Sequence, residues 1–195
     1  MRVFITVLVL IFSLQSWTKA DDISDFEIEG MSIGDSLLDY FSKEKIEDGK
    51  LHYPKSDKFY YIETAEAKYQ VYQNIQFGLK KNDKKYIIYS IVGAIFYHNN
   101  IVECNKKKDE VVTQIKEMVG DKVNVRISDK YPHSDLYPNT MVESVVIKFE
   151  SGDGIRIYCI DWSEKMTREK NWKDHLAVHI RTKAFTYFIN NEAYK

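Results

Sequence analysis

The sequence has few of the residues that mark specialised classes of protein. Its 195 residues include 2 cysteines, 3 prolines and 8 glycines. This composition excludes a cysteine-rich scaffold, a collagen-like repeat and a proline- or glycine-rich disordered chain. Neither sign of charge predominates, because 28 Lys and Arg residues stand against 29 Asp and Glu residues. The near-neutral balance argues against nucleic acid or an anionic membrane as a partner.

The first twenty residues have the pattern of a secretory signal peptide. Arg2 supplies a basic start, residues 3–14 are an unbroken apolar run, and Thr18 and Ala20 are small residues ahead of an acidic pair. We predict a signal peptide over residues 1–20 and a mature periplasmic or secreted protein. The alternative is a membrane anchor, but the run is shorter than the roughly 20 apolar residues that a spanning helix needs. We therefore expect no membrane span after cleavage at Asp21.

Residues 21–195 have the composition of a single ordered globular domain. Cleavage removes Arg2 and Lys19 but no acid, which leaves 26 basic and 29 acidic residues and a net charge of −3. A chain of this length is long enough to bury a core of its own. Residues 21–100 and 101–195 each read as a helix followed by a hairpin, which is the pattern of a duplicated unit.

Two helices are predicted near the start of this domain. Ser32 and Asp35 form the pattern of a capping box, so a helix is expected over residues 33–41. Ser42 is placed to cap a second, short helix that runs through Ile46.

Apolar periodicity predicts the remaining elements and the fold class. A helical stripe begins at Cys104 and ends at Gly120, and Thr182 caps a last helix. Alternation predicts strands over residues 59–63, 69–80, 86–97, 123–127, 142–150, 155–162 and 176–180, with loops over residues 128–140 and 163–174. We expect an α+β fold in which helices pack on one face of an antiparallel sheet.

The two cysteines, Cys104 and Cys159, are predicted to form a disulfide. A separation of 55 residues excludes a CxxC redox motif and a paired zinc knuckle. The stripe that begins at Cys104 and the inward side of the strand that holds Cys159 both point into the core, and export supplies an oxidising compartment. The alternative is two separately buried thiols.

The sequence offers no convincing metal or catalytic site. His175 and His179 have the spacing of a helical metal pair, but the residues between them alternate as a strand, where four positions span about 13 Å. Residues 151–154 contain serine, glycine and aspartate between two strands, as turns do. No glycine loop opens a helix to bind phosphate. We predict no metal, cofactor or catalytic residue, and we regard an enzyme as less supported than a binding protein.

The best candidate for a site is the aromatic group of Tyr158, Trp162 and Trp172. Tyrosine and tryptophan are the usual anchors of binding surfaces. Alternation places Tyr158 and Trp162 on the face opposite Cys159, and Trp172 follows in a charged loop. The alternative is a small hydrophobic cluster beneath that loop.

Four segments carry a resemblance to known proteins. They are FEIEGMSIGDSLLDYFSKEKI (residues 26–46), YIIYSIVGAIFY (residues 86–97), IVECNKKKDEVV (residues 101–112) and SGDGIRIYCIDWSEK (residues 151–165). The chain resembles a family of short secreted proteins of Pelagibacter-like marine bacteria, which implies export and no particular activity. Gly30, Met31 and Ser32 before a helix are also similar to envelope proteins of the SmpA/BamE type and to the β-lactamase inhibitor protein fold. Those are binding modules of helix pairs on antiparallel sheets, and this chain lacks the lipid-anchoring cysteine.

These observations predict an exported, non-enzymatic protein that binds an envelope or extracellular protein. The alternative is a periplasmic small-ligand-binding protein or a hydrolase whose site the sequence does not locate. The sequence does not indicate an oligomeric state.

Overall fold

The structure is a computed structural model that describes residues 20, 22–98, 100–119, 123–133 and 137–195. The predicted signal peptide up to residue 19, the predicted N-terminus at Asp21 and the predicted helix end at Gly120 lie outside the described residues. Within them, no helix is both long enough and apolar enough to cross a membrane.

The described residues form ten strands and four α-helices. The strands are β1 (Glu27–Ile28), β2 (Met31–Ser32), β3 (Leu51–His52), β4 (Phe59–Thr64), β5 (Asn74–Lys80), β6 (Ile88–Tyr97), β7 (Asn124–Pro132), β8 (Met141–Lys148), β9 (Gly154–Asp161) and β10 (Asp174–Arg181). The helices are α1 (Lys43–Asp48), α2 (Ile101–Val119), α3 (Glu164–Lys170) and α4 (Lys183–Asn191), and short 3-10 turns span Ile23–Asp25 and Leu37–Asp39.

Eight of these strands make one antiparallel sheet in the order β3-β4-β5-β6-β10-β9-β8-β7. Each half of the molecule is therefore a helix followed by a meander of four strands, with α1 before β3–β6 and α2 before β7–β10. The last strands of the two meanders pair in the middle, where Ala94 of β6 lies opposite Ala177 of β10. The predicted α+β class with an antiparallel sheet is confirmed, and each half holds four strands, whereas the predicted helix-plus-hairpin pattern named only one hairpin in each half.

The main core lies between the sheet and α2, and a cysteine pair joins the two. Cys104 in the first turns of α2 and Cys159 in β9 are 0% and 1% exposed. Their sulfur atoms lie at bonding distance and their Cα atoms are 6.1 Å apart, which is the geometry predicted for a disulfide. Ile157 and Leu176 extend the same apolar face.

One charged residue interrupts the buried stripe of α2. Lys108 is one turn after Cys104 and is only 2% exposed. Its ammonium group forms an ion pair with Glu143 of β8 and lies 3.6 Å from a carboxylate oxygen of Asp109. Because Glu143 lies opposite Cys159 in the sheet, the ion pair and the sulfur bridge fasten neighbouring points of α2.

The last helix packs on the other side of the sheet. Phe185 and Phe188 of α4 meet Phe59 of β4 with ring centroids 5.3 and 5.0 Å apart. A Cβ atom added to Gly78 of β5 would lie 2.4 Å from Phe185 Cε2, so a glycine is needed beneath this ring. The helices are thus divided between the two faces, whereas the sequence pattern predicted that they pack on one.

The helix predicted over residues 33–41 is wrong except for the 3-10 turn Leu37–Asp39. The Asp35 carboxylate does accept a hydrogen bond from the Ser32 N–H at 2.9 Å, as in a capping box. However, Gly34 has a φ of +94°, and Ser36 then forms a bridge with Ile87. The capping signal therefore closes a turn and does not begin a helix.

The strand predicted over residues 69–80 begins only at Asn74. The backbone N–H groups of Gln70, Val71 and Tyr72 donate to the carboxylate of Glu29 at 2.9, 2.7 and 3.0 Å. These N–H groups are therefore not available for hydrogen bonds to a neighbouring strand. Apolar alternation continues through them, which is why the sequence overestimated the strand.

Two segments that were predicted as loops contain regular secondary structure. The loop over residues 163–174 contains α3, which has only one buried residue, Met166, and therefore no apolar stripe. β7 runs on to Pro132 beyond the predicted end at residue 127, through an irregularity between Ser128 and Tyr131.

Candidate binding surface

Strands β8–β10 have one side packed against α2 and another side that is partly open to solvent. We call the second side the open face. Along β9, alternation brings Arg156, Tyr158 and the following Trp162 to this face, opposite Cys159. Along β10, the same face carries His175 and His179.

Five aromatic rings meet at one end of the open face and form what we call the Trp162 cluster. Its members are His133, Tyr137, Trp162, Trp172 and His175. The Trp162 and Trp172 ring centroids are 4.5 Å apart, and Tyr137 lies 5.7 and 5.2 Å from them. His133 is exposed and the other four rings are half-buried. The rings therefore pack against one another and still present apolar area to solvent.

Backbone hydrogen bonds hold Trp162 at the end of β9. Its N–H donates to the carboxylate of Asp174 at 2.9 Å, which ties the end of β9 to the start of β10. The next residue, Ser163, donates its N–H to the Thr140 hydroxyl at 3.3 Å. Ser163 also caps α3, since its hydroxyl accepts the N–H of Met166.

The turn after α3 returns the chain to this point. Asn171 has the left-handed conformation, with φ 55° and ψ 28°, that commonly ends a helix. Trp172 follows it directly and stacks back on Trp162. α3 and the turn that follows it therefore bring together two tryptophans that are ten residues apart in the chain.

The Trp162 cluster is uncharged at neutral pH. Burial lowers the pKa of His133 and of His175, so both imidazoles are neutral at pH 7. Burial also raises the pKa of the Asp174 carboxyl, although the hydrogen bond from the Trp162 N–H acts to lower it. An uncharged aromatic patch, half exposed, has the chemistry of an interface anchor.

Tyr158 lies apart from the two tryptophans. The Arg156 guanidinium stands 4.6 Å from the centre of the Tyr158 ring, which is the distance of a cation–π contact. Burial raises the pKa of Tyr158, which keeps its hydroxyl neutral. Of the three residues nominated from the sequence, the structure brings Trp162 and Trp172 into contact and places Tyr158 beside arginine.

Sequence reasoning missed the other members of this surface. His133 and Tyr137 lie within the predicted loop over residues 128–140, and no periodic signal connects them to Trp162. Arg156 alternates with Tyr158 along β9, so its presence on the same face was available from the strand pattern. Arg181 reaches this face only because β10 pairs with β9.

The histidines of β10 are held separately. His179 Nε2 is 2.7 Å from the Ser90 hydroxyl, and His175 Nδ1 is 2.9 Å from the Lys173 carbonyl oxygen. The prediction that they lie on a strand is confirmed. In the part of the chain that the structure describes, no three His, Cys, Asp or Glu side chains are grouped so as to hold a metal ion.

Two hollows lie on the other side of the sheet. A groove of about 410 Å³ runs beside the β1–β2 hairpin and is lined by residues that include Tyr40, Lys68 and Tyr72. A cavity of about 60 Å³ adjoins it beneath α2, where Tyr72 also forms part of the wall. Glu29 borders the groove, but its carboxylate is occupied by backbone donors.

Comparison with known proteins finds no match. No family model matches this chain, and neither a curated protein nor a solved structure matches it. The resemblances to secreted proteins of Pelagibacter-like bacteria, to SmpA/BamE-type proteins and to the β-lactamase inhibitor protein fold therefore stay predictions.

Proposed function

We propose that this protein is an exported binding protein that holds another protein on the open face of its sheet, with the Trp162 cluster as the anchor. The observation that carries the proposal is the set of four half-buried rings and one exposed ring gathered at the end of β9. Tryptophan and tyrosine side chains that are packed yet exposed are the usual centres of binding energy in protein interfaces.

Local contacts hold the two tryptophans of the anchor in place. Trp162 is fixed through its N–H to Asp174, and Trp172 is fixed by the end of α3. A surface that is already ordered loses little conformational entropy when it binds, which favours affinity. The arrangement is therefore suited to a preformed site.

Two observations support export. Residues 3–14 are an apolar run behind a basic residue, and Cys104 and Cys159 lie at bonding distance in the core. Disulfides persist in the periplasm and outside the cell and are rare in the cytosol.

Site-specific photo-crosslinking tests the proposed function. Benzoylphenylalanine would replace His133, which keeps an aromatic ring at the exposed edge of the Trp162 cluster. The matched control carries the same group in place of Tyr187, which is 59% exposed on α4. We expect irradiation of exporting cells to give one discrete protein adduct from position 133 and none from position 187.

Competition makes the result specific. Excess unmodified protein should abolish the adduct, whereas excess Trp162→Ala protein, folded as judged by circular dichroism, should not. Equal adducts from both positions, or competition by Trp162→Ala as effective as by the unmodified protein, would exclude the Trp162 cluster as the anchor.

A further inference from the structure

Two arginines lie side by side at the opposite end of the open face. Arg156 of β9 lies opposite His179 of β10, and Arg181 is two residues further along β10. Residues in this diagonal relation on an antiparallel pair have Cα atoms about 7–8 Å apart and point to the same side. Counted along β9, Arg156 is roughly 20 Å from Trp162, at about 3.3 Å per residue.

The described residues provide these two cations with no carboxylate. Arg156 Nη2 donates to the hydroxyl of Tyr131, and its guanidinium stacks on Tyr158. Arg181 has neither a hydrogen-bond partner nor an ion-pair partner among the described residues, and the positive charge of Arg156 acts on it. Within the described residues, no carboxylate therefore balances the two positive charges.

The surroundings make that lack of compensation unfavourable. Burial lowers the pKa of Arg181, and the charge of Arg156 lowers it further. His179, between them, is kept neutral because burial holds its pKa well below 6.5, and it is hydrogen-bonded to the Ser90 hydroxyl. Cations that are partly desolvated and unpaired destabilise a fold unless an anion joins them.

We propose that Arg156 and Arg181 form a carboxylate-binding site that receives an acidic side chain of the protein partner. Two planar guanidinium groups match a carboxylate in charge and in hydrogen-bond geometry. The identity of the carrier as a protein rests on the proposed function; the site itself rests on the two arginines alone.

The open face favours a protein carboxylate over other anions. A free small anion would contact only the two guanidinium groups, whereas a carboxylate on a protein segment adds the contacts of its neighbouring residues. A nucleic acid would meet a mature chain with 26 basic and 29 acidic residues, whose balanced charge gives no basic footprint for a phosphate backbone. An acidic segment of a protein can present one carboxylate here while its apolar residues reach the Trp162 cluster on the same face.

The test uses defined probes and the arginine Nε–Hε signals in NMR spectra of the mature protein. A blocked hexaglutamate peptide is titrated to millimolar concentration, with hexaglutamine as the uncharged control and inorganic phosphate as the free oxyanion. Arg181→Gln is the test variant, and Arg168→Gln, on the exposed surface of α3, is the matched control. Thermal unfolding confirms that each variant is folded.

We expect hexaglutamate to shift the Arg156 and Arg181 signals and to leave that of Arg168 unchanged. Arg181→Gln should weaken binding by about tenfold, as loss of a charged hydrogen bond does, and Arg168→Gln should change it less than about twofold. Absence of the shifts, equal binding by both variants, or equal shifts with hexaglutamine or phosphate would overturn the assignment.

The two proposals fail separately. Hexaglutamate binding requires no partner and no tryptophan, whereas crosslinking from position 133 does not require the arginines to bind a carboxylate. A partner adduct from position 133 without hexaglutamate binding would refute the carboxylate site alone. Hexaglutamate binding without an adduct would refute the proposed function and leave the anion chemistry of Arg156 and Arg181 in place.

Discussion

Replacing both Cys104 and Cys159 by alanine should lower the free energy of unfolding by about 4 kcal/mol. The two residues are 55 positions apart, so their bond closes a loop of that length in the unfolded chain. The loop-closure expression for such a loop corresponds to an entropy of roughly 14 cal/mol/K, or about 4 kcal/mol at 25 °C. Since whole domains unfold with about 5–15 kcal/mol, the variant should fold but be marginally stable.

Alanine at both positions isolates this effect. Cys104 and Cys159 are 0% and 1% exposed, so serine would leave buried hydroxyl groups without assured partners. Alanine instead leaves a small apolar void, which adds modestly to the loss. The Lys108–Glu143 ion pair still holds α2 to β8 in the variant.

Urea unfolding followed by tryptophan fluorescence measures the change. The variant should unfold at lower urea concentration and with a larger m-value, because an uncrosslinked unfolded chain exposes more surface. Reduced unmodified protein is the control and should agree with the variant to within about 1 kcal/mol. A loss below about 1 kcal/mol with an unchanged m-value would refute the loop-entropy argument.

Two further predictions concern the side of the sheet that carries α4 and the arginines. Gly78→Ala should lower the free energy of unfolding by about 1–3 kcal/mol, because the added Cβ would lie 2.4 Å from Phe185 Cε2. An unchanged melting temperature would show that α4 shifts to make room without a loss of stability. Burial holds the pKa of His179 below its unfolded value of about 6.5, so the unfolded state takes up the proton first as pH falls. Stability should therefore decrease below about pH 6.5, by at most about 1.4 kcal/mol per pH unit for this group. His179→Gln should reduce that slope in urea titrations at pH 7 and 5.5, and identical slopes would contradict the assignment.

Local signals predicted the elements that depend on local contacts. Ser42 and Thr182 accept the N–H groups of Lys45 and Phe185, as their positions ahead of helices indicated. The stripe of α2 is buried from Cys104 to Val119, in agreement with its apolar period. In each case the decisive partners lie within a few residues along the chain or on one helix face.

Errors arose where a distant group took over the backbone. Glu29 lies 41 to 43 residues from the donors that it binds at the start of the predicted 69–80 strand. The bridge between Ser36 and Ile87 likewise fixes a turn where the cap of Ser32 predicted a helix. Single-sequence patterns contain no information about such long-range acceptors.

The candidate surface was only half accessible from the sequence. Alternation placed Tyr158 and Trp162 opposite Cys159, and this follows from the two-residue period of a strand alone. The contact of Trp162 with Trp172 requires the turn at Asn171, which ends a helix that has one buried residue. The proximity of Arg156 to Arg181 depends on the strand order, which places β10 between β6 and β9.

The strand order also decides which sheet edges are available to other molecules. The outer strands are the two-residue β3 and the irregular β7, both of which are poor templates for further strand addition. The long strands β6 and β10 are kept in the middle, paired with each other from Ser90 to Tyr97. Separation of the two halves would turn these strands into long apolar edges of matching register. We therefore expect the halves, produced as separate chains, to reassemble by complementation, and each half alone to pair its exposed edge, β6 or β10, with the same edge of a second copy.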